Sequence, residues 1–190
     1  MANLANQPRR ITLGKQHTSL LVAGLLLPAI LIACGPNRGS EPMLLDESVL
    51  TYETVVSLVR SACDGFCPAY RVTLRGNGQV LYEGLFNVET EGSAEGSVEH
   101  ETVMQVLERF REIDFFSFQD RYVNGEEGCP MAPIGPPHIR ISLSLRGRHK
   151  EVNVEPCWFS KDADELWDLA ELIDQATGTE RWIAGGDADP

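Results

Sequence analysis

The clearest alternation of apolar and polar positions runs over residues 70–75, as expected for a strand with one buried face. Gly-Asn-Gly at 76–78 predicts a tight turn, and residues 79–84 predict the returning strand. With these three residues as the loop, the partners are Leu74 with Val80, Val72 with Tyr82, and Arg71 with Glu83. Apolar residues then face apolar residues and opposite charges meet, so we predict a β-hairpin here.

Two further segments predict strands. Residues 54–60 are apolar on both parities, which indicates a strand buried on both faces. A second hairpin follows if Gly147-Arg148 forms a two-residue turn. Its predicted pairs are Leu143 with Val152, Ile141 with Val154, Ser142 with Asn153, Arg140 with Glu155 and, by extension, His138 with Cys157.

Helical spacing appears twice. Apolar residues from Val103 to Ile113 predict an amphipathic helix, with Ser97 as its N-cap. A second helix should begin after Ser160 and end at Gly178, with a buried stripe of Leu166, Leu169, Ala170 and Ile173. Residues 85–96 and the proline-rich stretch 117–137 are interpreted as loops, the second of them unusually long.

The order of elements, β-β-β-α-β-β-α, predicts an α+β fold. We expect one mainly antiparallel sheet of about five strands, with two helices packed on one face. The folded domain should cover residues 53–183, and Arg181-Trp182-Ile183 should dock back on it. Residues 184–190 form a small, acidic tail.

The first 33 residues are interpreted as a signal peptide. A basic head with Arg9, Arg10 and Lys15 precedes fourteen uncharged residues, which are too few for a membrane-spanning helix. Leu31-Ile32-Ala33-Cys34 resembles the bacterial lipobox, whose cysteine is lipidated and becomes the mature N-terminus. Residues 34–52 then form a flexible tether. The paired arginines leave both Sec and twin-arginine export open.

Charge narrows the possible partners. Without residues 1–33 the chain carries 13 basic and 28 acidic residues, a net charge of −15. Such a surface repels phosphate backbones and anionic headgroups, so we expect no nucleic-acid binding and membrane contact only through lipid on Cys34. The expected location is the cell envelope, on the periplasmic face of the outer membrane if the organism has one. We expect a monomer whose partner is an envelope protein or a small ligand.

Four cysteines remain once Cys34 is lipidated. An even number in an exported domain predicts two disulfides, for which three connectivities are possible. We favour Cys63–Cys67 with Cys129–Cys157, because the second bridge would hold the long loop against the sheet. The first bridge would fix a sharp corner between two strands.

A thiol-redox or copper(I)-handling function is the alternative. Cys63-x-x-x-Cys67-Pro68 is similar to the site of the thioredoxin-like copper chaperones, in which two thiolates and a distant histidine hold copper. His138 or His149 would then supply the histidine. In that family a helix follows the second cysteine, whereas here the alternation of residues 70–75 predicts a strand. The wide separation of Cys129 and Cys157 argues against a four-cysteine zinc site.

The cysteine corner also carries a family resemblance. Cys63-x-Gly65-x-Cys67-Pro68-x-Tyr70, the Gly-Asn-Gly turn and the final Arg-Trp-Ile together resemble a bacterial domain of unknown function found in secreted proteins and lipoproteins. That resemblance supports the fold and the location and supplies no catalytic residue.

The sequence offers little for catalysis. It contains no Gly-x-Ser-x-Gly motif, no His-Glu-x-x-His motif and no phosphate-binding glycine loop. We therefore expect a domain with no cofactor and no enzymatic activity, which binds or supports other components of the cell envelope.

Overall fold

The structure is a computed structural model that describes residue 43 and residues 45–184. The predicted signal peptide, Cys34, half of the tether and nearly all of the acidic tail lie outside the described residues. Within the described part, no helix has both the length and the apolar character needed to cross a membrane.

One mixed sheet of seven strands forms the centre of the domain, in the order β4-β3-β2-β1-β6-β7-β5. The expectation of about five strands is therefore wrong. Among the described residues, 32% are in strands and 28% in helices. Neighbouring strands are antiparallel, except that β5 runs parallel to β7. The strands are β1 (Val55–Arg60), β2 (Ala69–Arg75), β3 (Gln79–Phe86), β4 (Gly92–Ser97), β5 (Arg121–Tyr122), β6 (Ile139–Leu145) and β7 (Arg148–Val154).

Strand β4 lies where a loop was expected. It pairs with β3 over its whole length, from Gly84 opposite Gly92 to Gln79 opposite Ser97. Glycine, serine and glutamate are typical of loops, but an edge strand needs only one hydrogen-bonded neighbour and little buried side chain. Because Ser97 ends β4, its predicted role as an N-cap is also wrong, and Glu99 occupies the N-cap position instead.

Strand β5 lies inside the long loop predicted for residues 117–137. It is held by Tyr122, whose side chain is fully buried. The Tyr122 hydroxyl donates a hydrogen bond to Asp162 (3.0 Å) and accepts one from the backbone N–H of Gln119 (3.2 Å). Burial raises the pKa of Tyr122 to about 12, so the hydroxyl keeps its proton at neutral pH.

The first hairpin has the predicted register. Leu74 pairs with Val80 and Val72 with Tyr82. Arg71 lies opposite Glu83, and the two side chains form an ion pair at 2.7 Å.

The second hairpin differs from the prediction by two residues. Ile141 pairs with Val152 and Leu143 with Lys150, and the last pair of the ladder is Ile139 with Val154. The five pairs predicted for this second hairpin, including His138 with Cys157, are therefore wrong. The turn consists of Arg146 and Gly147, with φ values of 49° and 75°. A two-residue turn with positive φ at both positions matches the twist of the two strands. Gly147 adopts this conformation without strain, whereas Arg146 is strained in it.

Both long helices pack on one face of the sheet. They are α1 (His100–Glu112) and α2 (Lys161–Thr177). A short third helix, α3 (Glu180–Ile183), follows α2, so the expectation of two helices is also wrong. The caps predicted for α2 are confirmed: Ser160 Oγ accepts a hydrogen bond from the Ala163 N–H, and Gly178 ends the helix with a φ of 63°. Trp182 of α3 stacks on Tyr82 with a centroid distance of 4.8 Å, so the Arg-Trp-Ile segment docks as predicted. The predicted stripe of α2 is fully buried at Leu166, Leu169, Ala170 and Ile173.

The helices leave the second face of the sheet open. In β1, Val56 and Leu58 are buried, whereas Val55, Ser57 and Val59 are only half-buried. The prediction that β1 is buried on both faces is therefore wrong. Cross-strand pairing places mainly polar residues on the open face, and one row consists of Glu95, Leu81, Thr73, Ser57, Ser142 and Glu151.

Candidate functional site

Both disulfides lie at one end of the sheet. Strands β1, β3 and β7 end there, and strands β2 and β6 begin there. The loops there, together with the last two residues of β3, form what we call the disulfide end: residues 61–68, 85–91, 123–138 and 155–160. The chain that precedes β1 joins the sheet at the opposite end, where Asp46 forms an ion pair with Arg146 at 2.9 Å.

The first disulfide, Cys63–Cys67, closes the corner between β1 and β2. The corner is tied to its neighbours by backbone contacts. The Asp64 N–H donates to the Gly135 carbonyl (3.2 Å), and the Asn87 side-chain amide donates to the Phe66 carbonyl. The corner is therefore in contact with two of the other segments of the disulfide end.

The second disulfide, Cys129–Cys157, joins the long loop to the end of β7. Both cysteines are buried. The Trp158 N–H donates to the Met131 carbonyl (2.8 Å), which adds a backbone link beside the bridge. This pairing is the one favoured from the sequence, and it holds the long loop against the sheet.

The disulfide end exposes large apolar side chains. Ile134 is 100% exposed, Phe159 93% and Phe66 89%. Among the described residues, seven of the eight exposed large apolar side chains belong to this end, which makes it the candidate contact surface. The other four are Leu85, Phe86, Met131 and Trp158.

The backbone at Phe159 is held in an unfavourable conformation. Its φ of 65° lies in the left-handed region, which costs a bulky residue on the order of 1–3 kcal/mol. Its neighbours hold it there, because the disulfide-bonded Cys157 lies on one side and the helix cap Ser160 on the other. The result is an aromatic ring displayed to solvent, and strain of this kind concentrates at functional sites.

The charges of the disulfide end all have one sign. Its four segments contain six carboxylates and no lysine or arginine. Glu155 accepts a hydrogen bond from the Asn124 N–H (2.8 Å), and Glu126 pairs with Arg121 of β5 (3.0 Å). The other four, Asp64, Glu89, Glu91 and Glu127, are exposed.

The two histidines proposed for copper lie apart. His138 is next to the corner, since its backbone exchanges hydrogen bonds with Ser61 (2.8 and 2.9 Å), and its Nδ1 is 3.5 Å from Glu155. His149 lies at the opposite end, where its Nδ1 is 2.9 Å from the Ser144 hydroxyl. No group of three or more His, Cys, Asp or Glu side chains in the described part of the chain is arranged to hold a metal ion. The chain leaves Cys67 through Pro68 into strand β2, without the helix of the copper chaperones.

A polar cluster lies beneath the corner, on the helix face. Arg60, the last residue of β1, donates to Asp174 of α2 at 2.8 Å, and its guanidinium lies 5.6 Å from the Trp167 ring centre. Both partners of the ion pair are less than one-fifth exposed. Burial raises the pKa of Asp174, and Arg60 opposes the shift. Burial also raises the pKa of Tyr70 on β2, so this tyrosine stays neutral.

Asp174 predicts a pH dependence of stability. A carboxyl whose pKa is raised by folding contributes stability that is fully present below its unfolded pKa and is lost as pH rises through the folded pKa. From about pH 4 upward, the free energy of unfolding of the wild type should therefore fall relative to that of Asp174→Asn, as measured by urea titration. Asp46→Asn is the control: hydrogen bonds from Ser48 and Arg146 lower the Asp46 pKa, so the difference should change in the opposite direction. Parallel curves for the wild type and Asp174→Asn would contradict this assignment.

Replacing Cys63 and Cys67 by serine should cost no more than about 2 kcal/mol, because closing a five-residue loop removes little entropy from the unfolded chain. The fold should remain intact by circular dichroism. In glutathione buffers a structural bridge should stay oxidised until the buffer potential falls below about −300 mV, whereas a working redox pair would already be reduced at a higher potential. Free thiols at both positions in protein taken from the envelope would favour the copper or redox alternative.

The exposed apolar residues Phe66, Met131 and Ile134 are not among the site residues predicted from the sequence. Ile134 and Met131 stand in a Pro/Gly-rich stretch, and Phe66 stands between the cysteines of the corner. An apolar residue inside a turn-rich segment has no periodic partners, and that is the signal by which such residues can be found. Whether such a residue packs inward, as Ala132 does, or projects outward, as Ile134 does, depends on how the tertiary fold holds the loop.

A comparison with protein families matches residues 54–177 to DUF6438, described as a domain of unknown function. The match covers β1 to the end of α2 and therefore includes all four disulfide-bonded cysteines. No curated protein matches the chain.

Proposed function

The chain belongs to the DUF6438 family of domains, and we propose that this member is a lipid-anchored protein of the bacterial cell envelope. Its domain has no catalytic role in this proposal and binds or supports another envelope component through the disulfide end. Cys34 carries the lipid, and residues 35–52 connect it to the domain.

The observation that carries the proposal is the distribution of the five cysteines. Two disulfides use four of them, and bridges of this kind persist in oxidising compartments outside the cytosol. The fifth is Cys34, at the end of the lipobox-like sequence. Export and lipidation are thus supported by separate groups of residues.

Lipidation is tested at Cys34. In cells fed a palmitate analogue, the wild type should be labelled and Cys34→Ala should not be. Globomycin, which blocks cleavage of lipoprotein signal peptides, should make the precursor accumulate. The serine variant of Cys63 and Cys67 is the matched control, because it removes cysteines without touching the lipidation site. Equal labelling of wild type and Cys34→Ala would contradict the proposal.

The membrane is tested by fractionation. In an organism with two membranes, the labelled protein should appear in the outer-membrane fraction. Intact cells should protect it from added protease, since we place it on the periplasmic face. Recovery in the inner-membrane fraction, or digestion in intact cells, would correct the location without affecting the lipid anchor.

A further inference from the structure

We propose that the disulfide end docks onto a protein surface that is both cationic and apolar, with Phe66, Ile134 and Phe159 as its anchors. This inference rests on the proposed function, in which the disulfide end binds or supports another envelope component, and it goes further by naming the anchors and the chemistry of the partner.

The anchors are suited to binding because they are exposed and also held. Each of the three is at least 89% exposed, yet each belongs to a segment fixed by a disulfide or a backbone hydrogen bond. Phe66 lies within the Cys63–Cys67 loop, and Ile134 precedes Gly135, whose carbonyl binds the Asp64 N–H. Segments that are ordered before binding lose less entropy on binding, so apolar contact is converted more fully into affinity.

The anchors are spread along the end of the sheet. The corner lies between β1 and β2, and Phe159 follows the end of β7, two strands beyond β1 in the sheet. At about 4.8 Å between neighbouring strands, Phe66 and Phe159 belong to segments on the order of 10–15 Å apart. A partner would therefore contact several anchors at once, as at the apolar centre of a protein interface.

Charge selects the kind of partner. The anchors stand among six carboxylates. Arg121 of β5 neutralises one of them, Glu126, and the four segments themselves contain no lysine or arginine. Anionic headgroups and nucleic-acid phosphates are repelled by such a rim, whereas lysine and arginine side chains are attracted. The partner is therefore a protein surface with basic residues around apolar sockets.

The position at which the chain from Cys34 joins the sheet leaves the disulfide end accessible to a partner. The chain that links Cys34 to the domain joins the sheet at the end opposite to the disulfide end. The tether therefore does not have to pass across the anchors.

Site-specific photo-crosslinking in cells of the source organism tests the proposal with the full-length protein. A benzophenone amino acid is placed at position 134 or 159, and at position 105 as a control, since Gln105 is exposed on α1. Positions 134 and 159 should crosslink to one protein segment, and position 105 should not. Mass spectrometry should find lysine or arginine beside aliphatic or aromatic residues in the crosslinked segment.

Charge reversal supplies the second arm. Glu89→Lys with Glu127→Lys should lower the crosslinking yield at position 134 by about tenfold, because both attractive charges become repulsive. Glu95→Lys with Glu112→Lys alters the net charge equally away from the disulfide end and should leave the yield unchanged. All four glutamates are exposed, so the variants keep the fold.

Several outcomes would overturn the inference. Crosslinks only to phospholipid would indicate a membrane contact, and crosslinks to a second copy of this chain would indicate a dimer. Equal yields at positions 134 and 105, or no crosslink at 134 and 159, would remove the docking surface. Palmitate labelling of the same cells is read separately, so a failure of lipidation is distinguished from a failure of docking.

Discussion

Replacing Cys129 and Cys157 together by alanine is expected to lower the free energy of unfolding by about 3.6 kcal/mol at 25 °C, which is the loop-closure entropy of the 29 residues that the bridge encloses. Alanine is chosen because both sites are buried and a serine hydroxyl there would add its own desolvation cost. Urea denaturation measures the change, and the m value should rise because the unfolded chain is less compact.

The same variant should also loosen the long loop. Residues 123–138 should become sensitive to protease in the folded state, since the bridge is their covalent attachment to the segment that follows β7. The serine variant of Cys63 and Cys67 is the control and should lose no more than about 2 kcal/mol. A smaller loss for the Cys129–Cys157 pair than for the Cys63–Cys67 pair would contradict the entropic account of the two bridges.

Replacing Phe110 by alanine is expected to lower the free energy of unfolding by about 3–5 kcal/mol. The Phe110 side chain is fully buried beneath α1, and its ring meets Phe115 edge to face with centroids 4.8 Å apart. Truncation removes this contact and leaves a cavity that the surrounding helix and sheet close only in part.

Phe66→Ala is the matched control for Phe110→Ala. The same atoms are deleted, but the Phe66 side chain is 89% exposed, so the change in unfolding free energy should stay within about 0.5 kcal/mol. Phe66→Ala should instead weaken docking of the disulfide end onto its partner. Among Phe110→Ala molecules that remain folded, docking should be unchanged. A large loss of stability in Phe66→Ala would mean that the ring supports the fold and is not displayed for a partner.

Local pattern was sufficient for the first hairpin and for α2. In the hairpin, alternation and the Gly-Asn-Gly turn agree, and Arg71 with Glu83 supports the same register. In α2, Ser160 and Gly178 mark the two ends, and the apolar spacing marks the buried stripe. Each of these features depends on contacts between residues close in sequence, so the sequence carries the information directly.

The edge strands and the register of the second hairpin depend on contacts within the assembled sheet, which local sequence does not reveal. Strand β4 exists because β3 offers it a row of hydrogen-bonding groups, and nothing in Gly92–Ser97 itself favours a strand. Strand β5 exists because Tyr122 is buried against a sheet that is assembled mostly from distant residues. The register of the second hairpin depends on Arg146 taking a left-handed conformation, which its residue type disfavours.

Sequence pattern was enough to specify the register of the first hairpin and both ends of α2. It favoured one of three possible disulfide pairings, and it predicts an export signal over residues 1–33. The seven-stranded sheet, the open face and the exposure of Phe66, Ile134 and Phe159 at one end became visible only in the folded domain. The difference follows from the range of the interactions. Caps, turns and alternation act over a few residues, whereas burial of a loop side chain depends on where distant strands and disulfides hold that loop.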